Sequence, residues 1–230
     1  MPRSGGRSAG RTNRITIKMN EGEILVCFAL PDEARPFEQL AATARVRTLI
    51  TGIGKKNAER AIRTTLAESR PNLVLTCGFA GGLESHLTHG EIVFSADEES
   101  GLKLKLLAAG AREAQLFCAD HIAVSAEEKR ALRQKTGADA VEMESEIIRA
   151  VCREQKIPSA TVRVISDIAG EDLPLDFNEL MTPDRKLDFG KLTLAILKSP
   201  GKIGALLRLQ KQTSGSAKIL ARTLAQIIAE

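Results

Sequence analysis

The 230-residue chain is 43% hydrophobic and 27% charged, a globular balance, and no apolar run approaches the roughly 20 residues that a membrane helix needs. Its net charge of +4 comes from residues 1–18, where Arg3, Arg7, Arg11, Arg14 and Lys18 stand without an acid; the remainder sets 28 bases (33 less those five) against 29 acids. A near-neutral body with no Trp, no Tyr and only seven Phe offers neither a field nor stacking platforms for nucleic acid.

Residues 1–20, rich in Gly, Ser and Arg, read as a disordered basic leader. They lack the apolar core of a secretory signal, and a solvated tail, or a start at Met19, accounts for them better than a transit peptide. Residues 21–230 read as one α/β domain, with a helical part over 188–230. Glu23–Leu30 is a continuous apolar run of strand length, expected of a strand buried on both faces. Pro31 then opens a short helix or turn. Val46–Ile50 is a second strand running into Gly52 and Gly54, and Ala58, Ala61, Ile62 and Leu66 recur at helical spacing behind it.

Residues 72–83 form a third buried strand that ends in a small-residue loop, Gly78, Ala80, Gly81 and Gly82. Residues 90–96 supply a fourth strand and 111–120 contain a fifth. Ser125, with Glu128 three residues on, caps a helix. Residues 138–145 are a strand end running into a helix that Pro158 closes, and 159–170 hold the last clear strand. Pro200-Gly201 splits the tail, and the stretch TSGSA (213–217) predicts a further break. That tail is expected to cover the sheet or make a subunit contact. Strands alternating with helices argue an α/β fold with a mostly parallel sheet.

Cys27, Cys77, Cys118 and Cys152 stand singly in apolar surroundings, and His86, His89 and His121 make no ligand pattern. This spacing argues against a metal centre and against a disulfide framework; buried free thiols of a cytoplasmic protein fit better.

In parallel sheets, ligands bind beyond the carboxyl ends of strands. The residues expected there are Asp32 and Glu33, the Gly78–Gly82 loop, Glu142, Met143 and Glu144, and Ser166 with Asp167. Arg35 is the one base among them, which suits a neutral or cation-like polar ligand better than a triphosphate. Each signal is weak alone. Gly52-Ile53-Gly54 lacks the third glycine of a dinucleotide fingerprint and reads as a tight strand-to-helix turn. The glycine loop also fits a simple turn, and Ser166-Asp167 a helix cap. Weight comes from all four segments lying at strand ends of one polarity. Glu146, just beyond, is assigned to the helix dipole and solvent.

TGIGKKNAERA (51–61), TCGFAGGL (76–83) with HGEIV (89–93), AVEMES (140–145) and VRVISDIA (162–169) occur in that order. Together they resemble the purine nucleoside phosphorylase/nucleosidase superfamily, most closely its methylthioadenosine/S-adenosylhomocysteine nucleosidase type, over roughly residues 24–172. The resemblance implies a three-layer α/β/α sandwich with a mostly parallel central sheet, and cleavage of a purine N-glycosidic bond, releasing adenine from a 5′-modified adenosine. It implies Asp167 as the acid facing purine N7, Glu144 as the ligand of the ribose hydroxyls, Met143 packing on the ribose and Glu142 assisting. Gly78, Phe79, Ala80 and Ser166 complete the implied substrate contacts.

Glu33 aligns with the nucleosidase acid that orients water. Phosphorylases carry Arg there and another near Thr76, so their absence favours hydrolysis; phosphorolysis would add inorganic phosphate as co-substrate, with Arg35, Arg45, Arg47 and Arg163 as candidate ligands. No other cofactor and no metal is implied. Two departures stand out: Phe79 replaces the usual Ser, and the segment between Gly90 and Ala119 is short. DEAR (32–35) and SPGKIGALLRLQKQ (199–212) are similar to the hopanoid-associated phosphorylases, which act on an adenosine with a large lipid at its 5′ position. A homodimer or higher homo-oligomer is the expected state by the same resemblance. Phe79 also motivates a reading as a non-catalytic nucleoside-binding protein.

Overall fold

The computed structural model describes residues 22–41 and 45–229, so the basic leader expected over 1–20 lies outside the described residues. The first apolar run becomes β1 (Ile24–Phe28), whose side chains alternate between two helical layers. Ile24, Val26 and Phe28 pack with Ala34 and Phe37 of α1 (Pro31–Leu40), Leu102 and Leu106 beside and within α3 (Lys103–Ala108), and Leu220, Leu224 and Ile227 of α7 (Ile203–Ala229). Leu25 and Cys27 face the other way, onto Ala58 and Ile62 of α2 (Lys55–Glu68) and Ile148, Val151 and Cys152 of α5 (Ser145–Glu154). The result is the expected three-layer α/β/α sandwich.

The central sheet runs in the order β2 (Val46–Ile50), β1, β3 (Leu73–Gly82), β8 (Ser159–Asp167), β4 (Ile92–Ala96), β5 (Arg112–Glu113). A side ribbon of β6 (Leu116–Cys118) and β7 (Ala140–Glu142) joins it through β3. Most pairs are parallel; β3–β7 and β4–β8 are antiparallel. The helix α4 (Ala126–Thr136) is capped as expected, Ser125 Oγ accepting from Glu128 N and the Glu128 carboxylate accepting from Ser125 N. Residues 111–120 hold two short strands in place of one, since the chain leaves β4 at Ala114 to pair with β7 instead.

Three expectations are corrected. The Gly78–Gly82 segment is the second half of β3, with a register shift against β8 at Ala80/Gly81. It stays extended because β7 takes over the edge of β3 where β1 stops. Next, β7 runs against β3, with Gly81 opposite Val141, so Glu142–Glu144 do not lie at a strand end of the shared polarity. They reach the same place because β7 runs back towards the carboxyl end of β1.

Finally, α7 continues unbroken through TSGSA. Thr213 satisfies its hydroxyl on the Leu209 carbonyl at 3.0 Å, and buried Ser216 and Ala217 begin the face that packs on the sheet. Tertiary burial outweighs the penalty of one helical glycine, about 1 kcal/mol.

Candidate functional site

A cavity of about 240 Å³ opens where β1 and β7 part along β3. Eight of the nine residues that the resemblance implies at the site line it, Glu33, Phe79, Ala80, Glu142, Met143, Glu144, Ser166 and Asp167, whereas Asp32, also expected there, is exposed on the surface. Gly78, the ninth, lies behind the wall. Its φ is +146°, and a Cβ there would stand 2.6 Å from Arg163 Nη1 and 2.8 Å from Glu33 Oε1. Only glycine lets β3 pass between those two side chains.

Glu33 sits in the first turn of α1. Its carboxylate accepts from Phe79 N at 2.9 Å and from Leu30 N at 3.0 Å, which locks it across the mouth of β1. Burial pushes its pKa up, against the pull of those amides and of Arg163.

Glu142 and Glu144 share one guanidinium. Arg163 Nη2 is 2.5 Å from Glu142 and 3.6 Å from Glu144, and all three are buried. Glu142 also accepts from Glu144 N (3.0 Å), Ser145 N (2.8 Å) and Ser145 Oγ (2.7 Å). Burial opposes its charge, but Arg163 and those donors win and hold its pKa below the ordinary value. Glu144 has less help. Burial lifts it to about 7, Arg163 pulls it down, and the neighbouring Glu142 charge adds to the rise. Its one amide donor is Gly54 N at 2.8 Å. The Gly52-Ile53-Gly54 turn, with φ of +79° and +86° at its glycines, thus aims an amide from the start of α2 at Glu144.

Asp167 ends β8 on the other side of the cavity. Its Oδ1 accepts from Ser166 Oγ at 2.7 Å, and its Oδ2 meets Lys129 Nζ at 2.6 Å. Lys129 is fully buried and also donates to the carbonyls of Ile168 (2.9 Å) and Glu171 (2.8 Å). The ammonium is therefore a fixed part of the site, tying α4 to the turn after β8.

Two buried cations thus correct the reading of a site with no base but Arg35. Arg163 carried a sequence signal, since a charge inside the apolar run Thr161–Ile165 must find a partner. Lys129, in a polar helix, carried none. Of the four arginines named for phosphate, Arg163 alone is at the site, and the acids engage it. Arg35 pairs with Asp32 on the surface, and Arg47 lies on β2 near Glu23 and Glu68. Glu146 is exposed and pairs with Lys55 at 3.4 Å. The four cysteines are buried free thiols.

Among the described residues, no group of three or more His, Cys, Asp or Glu is arranged to hold a metal ion. Phe79, Met143, Ile122, Leu173 and Phe177 supply an apolar wall facing the acids. A larger hollow of about 660 Å³ between α1 and α7 shares only Phe79 and Thr213 with this cavity and none of its acids. The buried acids therefore gather at the smaller one.

Buried acids converging at the end of an α/β/α sheet define the class. The family profile for the "Phosphorylase superfamily" matches residues 108–198. A 5′-methylthioadenosine/S-adenosylhomocysteine nucleosidase of Haemophilus ducreyi is 30% identical over 169 residues, 59% of this chain and 73% of that protein. The chain belongs to the phosphorylase superfamily, on its 5′-methylthioadenosine/S-adenosylhomocysteine nucleosidase-like side. The nucleosidase of the same description from Glaesserella parasuis is 28% identical over 170 residues, 59% of this chain and 74% of that one.

Two solved structures share the fold. A nucleosidase of Campylobacter jejuni superposes with a TM-score of 0.67 at 18% identity, over 90% of this chain and 98% of that one. The futalosine hydrolase of Helicobacter pylori does so with a TM-score of 0.67 at 16% identity, over 91% and 98%.

Proposed function

We propose that this chain hydrolyses the N-glycosidic bond of a 5′-modified adenosine and releases adenine. The observation that carries the reading is the single cavity with Glu33 and Glu144 at one end and Asp167 at the other. Water attacks C1′ while the C1′–N9 bond breaks. Glu33 takes the proton of the attacking water, a role suited to a carboxylate made more basic by burial. Glu144 binds the ribose hydroxyls, and in its ionised form it offsets charge on the oxocarbenium-like sugar. Asp167, oriented by Ser166 and held as a carboxylate by Lys129, takes up a proton from solvent as the nucleoside binds and passes it to purine N7. Phe79, Met143 and Phe177 pack on the flat faces of base and sugar. The 5′-methylthioadenosine/S-adenosylhomocysteine nucleosidase relatives support adenine release, and the hollow beside Phe79 leaves room for a 5′ substituent.

Water is favoured over phosphate because Arg163 and Lys129 are already matched by Glu142, Glu144 and Asp167. Among the described residues lining the cavity no lysine or arginine is free, so a phosphate dianion would meet Glu33 and Glu144 unscreened by one. The resemblance adds a homo-oligomer and the buried free thiols a cytoplasmic location, which size-exclusion and cell fractionation test.

The deciding experiment is a nucleoside panel including 5′-methylthioadenosine and S-adenosylhomocysteine, run with and without phosphate, reading free base and the sugar product. Adenine with free sugar in both conditions supports hydrolysis. Sugar 1-phosphate would show phosphorolysis, and binding without base release would leave a non-catalytic nucleoside-binding protein.

A further inference from the structure

From Phe189 to Ala229 the chain contains seven bases, Lys191, Lys198, Lys202, Arg208, Lys211, Lys218 and Arg222, and no acid. The first half of this stretch is also left bare. No residue of α6 (Phe189–Lys198) is buried, and in α7 burial begins only at Ser216. Between them Pro200–Lys202 form one turn of 3-10 helix that joins α6 to the start of α7. Its exposed side chains are large and apolar: Phe189 and Leu197 are each 73% exposed, Leu207 61%, Leu194 52% and Ile203 43%. Single exposed leucines are ordinary, but five large apolar residues within 19 consecutive residues are not.

The charge pattern says what covers this face. At about 100° per residue, Phe189, Leu197 and Leu194 span one side of α6, and Lys198 and Lys191 border it next to Leu194. Ile203 and Leu207 share a flank of α7, bordered by Arg208 and Lys211. Lys191 is tied to the carbonyls of Glu179 (3.0 Å) and Met181 (3.2 Å). Among the described residues no acid pairs with Lys198, Lys202, Arg208 or Lys211. Apolar anchors rimmed by unpaired bases match an interface with acyl chains within and anionic headgroups around. A second copy would set the same bases against each other. A nucleic acid would leave the leucines without a partner. No helix among the described residues is long and apolar enough to cross a membrane, so the contact is with the surface.

We propose that α6 and the start of α7 dock the protein onto an anionic lipid bilayer, with Phe189, Leu194, Leu197, Ile203 and Leu207 entering the interface and Lys198, Lys202, Arg208 and Lys211 meeting the headgroups. The proposal is independent of the reaction catalysed.

Co-sedimentation of the full chain with vesicles tests it. Binding is expected to phosphatidylcholine vesicles containing phosphatidylglycerol, and not to phosphatidylcholine alone. Each base reversed to Glu in the K198E/K202E pair should weaken binding about fivefold or more, at about 1 kcal/mol per residue. F189S/L197S should abolish binding while leaving adenine release from a soluble nucleoside unchanged, since neither side chain reaches the cavity. A third variant, R3Q/R7Q/R11Q/R14Q, controls for the basic leader and should bind as the parent does.

The proposal is overturned if the parent ignores anionic vesicles. It is equally overturned if F189S/L197S binds as well as the parent, which would mark a purely polyanionic contact, or if only the leader variant loses binding. A change of oligomeric state in F189S/L197S without lipid would assign the face to a second copy instead.

Discussion

Replacing Glu144 by Gln separates the charge of this side chain from its shape. The carboxyl is buried, accepts from Gly54 N at 2.8 Å and stands 3.6 Å from Arg163. Burial, reinforced by Glu142 and opposed by Arg163, lifts its pKa from 4.5 to about 7. The folded chain therefore holds this proton more tightly than the unfolded chain does. Stability from this group is complete below the unfolded value and is lost as pH rises through the folded one. A rise from 4.5 to about 7, at about 1.4 kcal/mol per pH unit, is worth about 3 kcal/mol.

The E144Q amide keeps an oxygen for Gly54 N and has no proton to lose, so it escapes that loss. Urea denaturation at about pH 5 and about pH 8 reads the difference. Relative to the parent, E144Q should gain up to about 3 kcal/mol between the two conditions, while base release falls steeply because the sugar loses its anionic neighbour. A stability gap that stays constant from the lower to the higher pH would refute the electrostatic account of this cluster.

Arg163→Met leaves the buried Glu142 charge without its partner and should cost about 3–5 kcal/mol in a thermal or urea melt, with part recovered in R163M/E142Q. Lys129→Met should destabilise by a similar amount, about 3–5 kcal/mol. Adding Asp167→Asn to it should restore stability but not base release, because the paired charges, and not the proposed chemistry, are what the double change repairs. Gly78→Ala drives a methyl against Arg163 and Glu33 at a φ of +146°, so it should lose about 1–3 kcal/mol and most activity. Gly215→Ala, in contrast, places its methyl in open space inside α7 and should raise stability by about 1 kcal/mol.

Much of this protein was legible along the chain. The runs Ile24–Phe28 and Ser159–Asp167 are buried on both faces because each strand is sandwiched between helical layers. Ala58 and Ile62 face the core one helical turn apart, and Ser125 and Glu128 cap their helix locally. The same local logic placed Glu33, Glu144 and Asp167 beside strand ends, and those three share one cavity.

What the sequence by itself determined is therefore whatever neighbouring residues decide among themselves: period, burial face, caps and turns. Tertiary structure alone decided the rest. It reversed β7, carried α7 through TSGSA, set Lys129 against Asp167 and brought Gly54 to Glu144 across 90 residues of chain. Charges buried far apart in sequence have no local preference for one another. Their pairing exists only where the folded sheet removes water from both, and there an unmatched charge is too costly to keep.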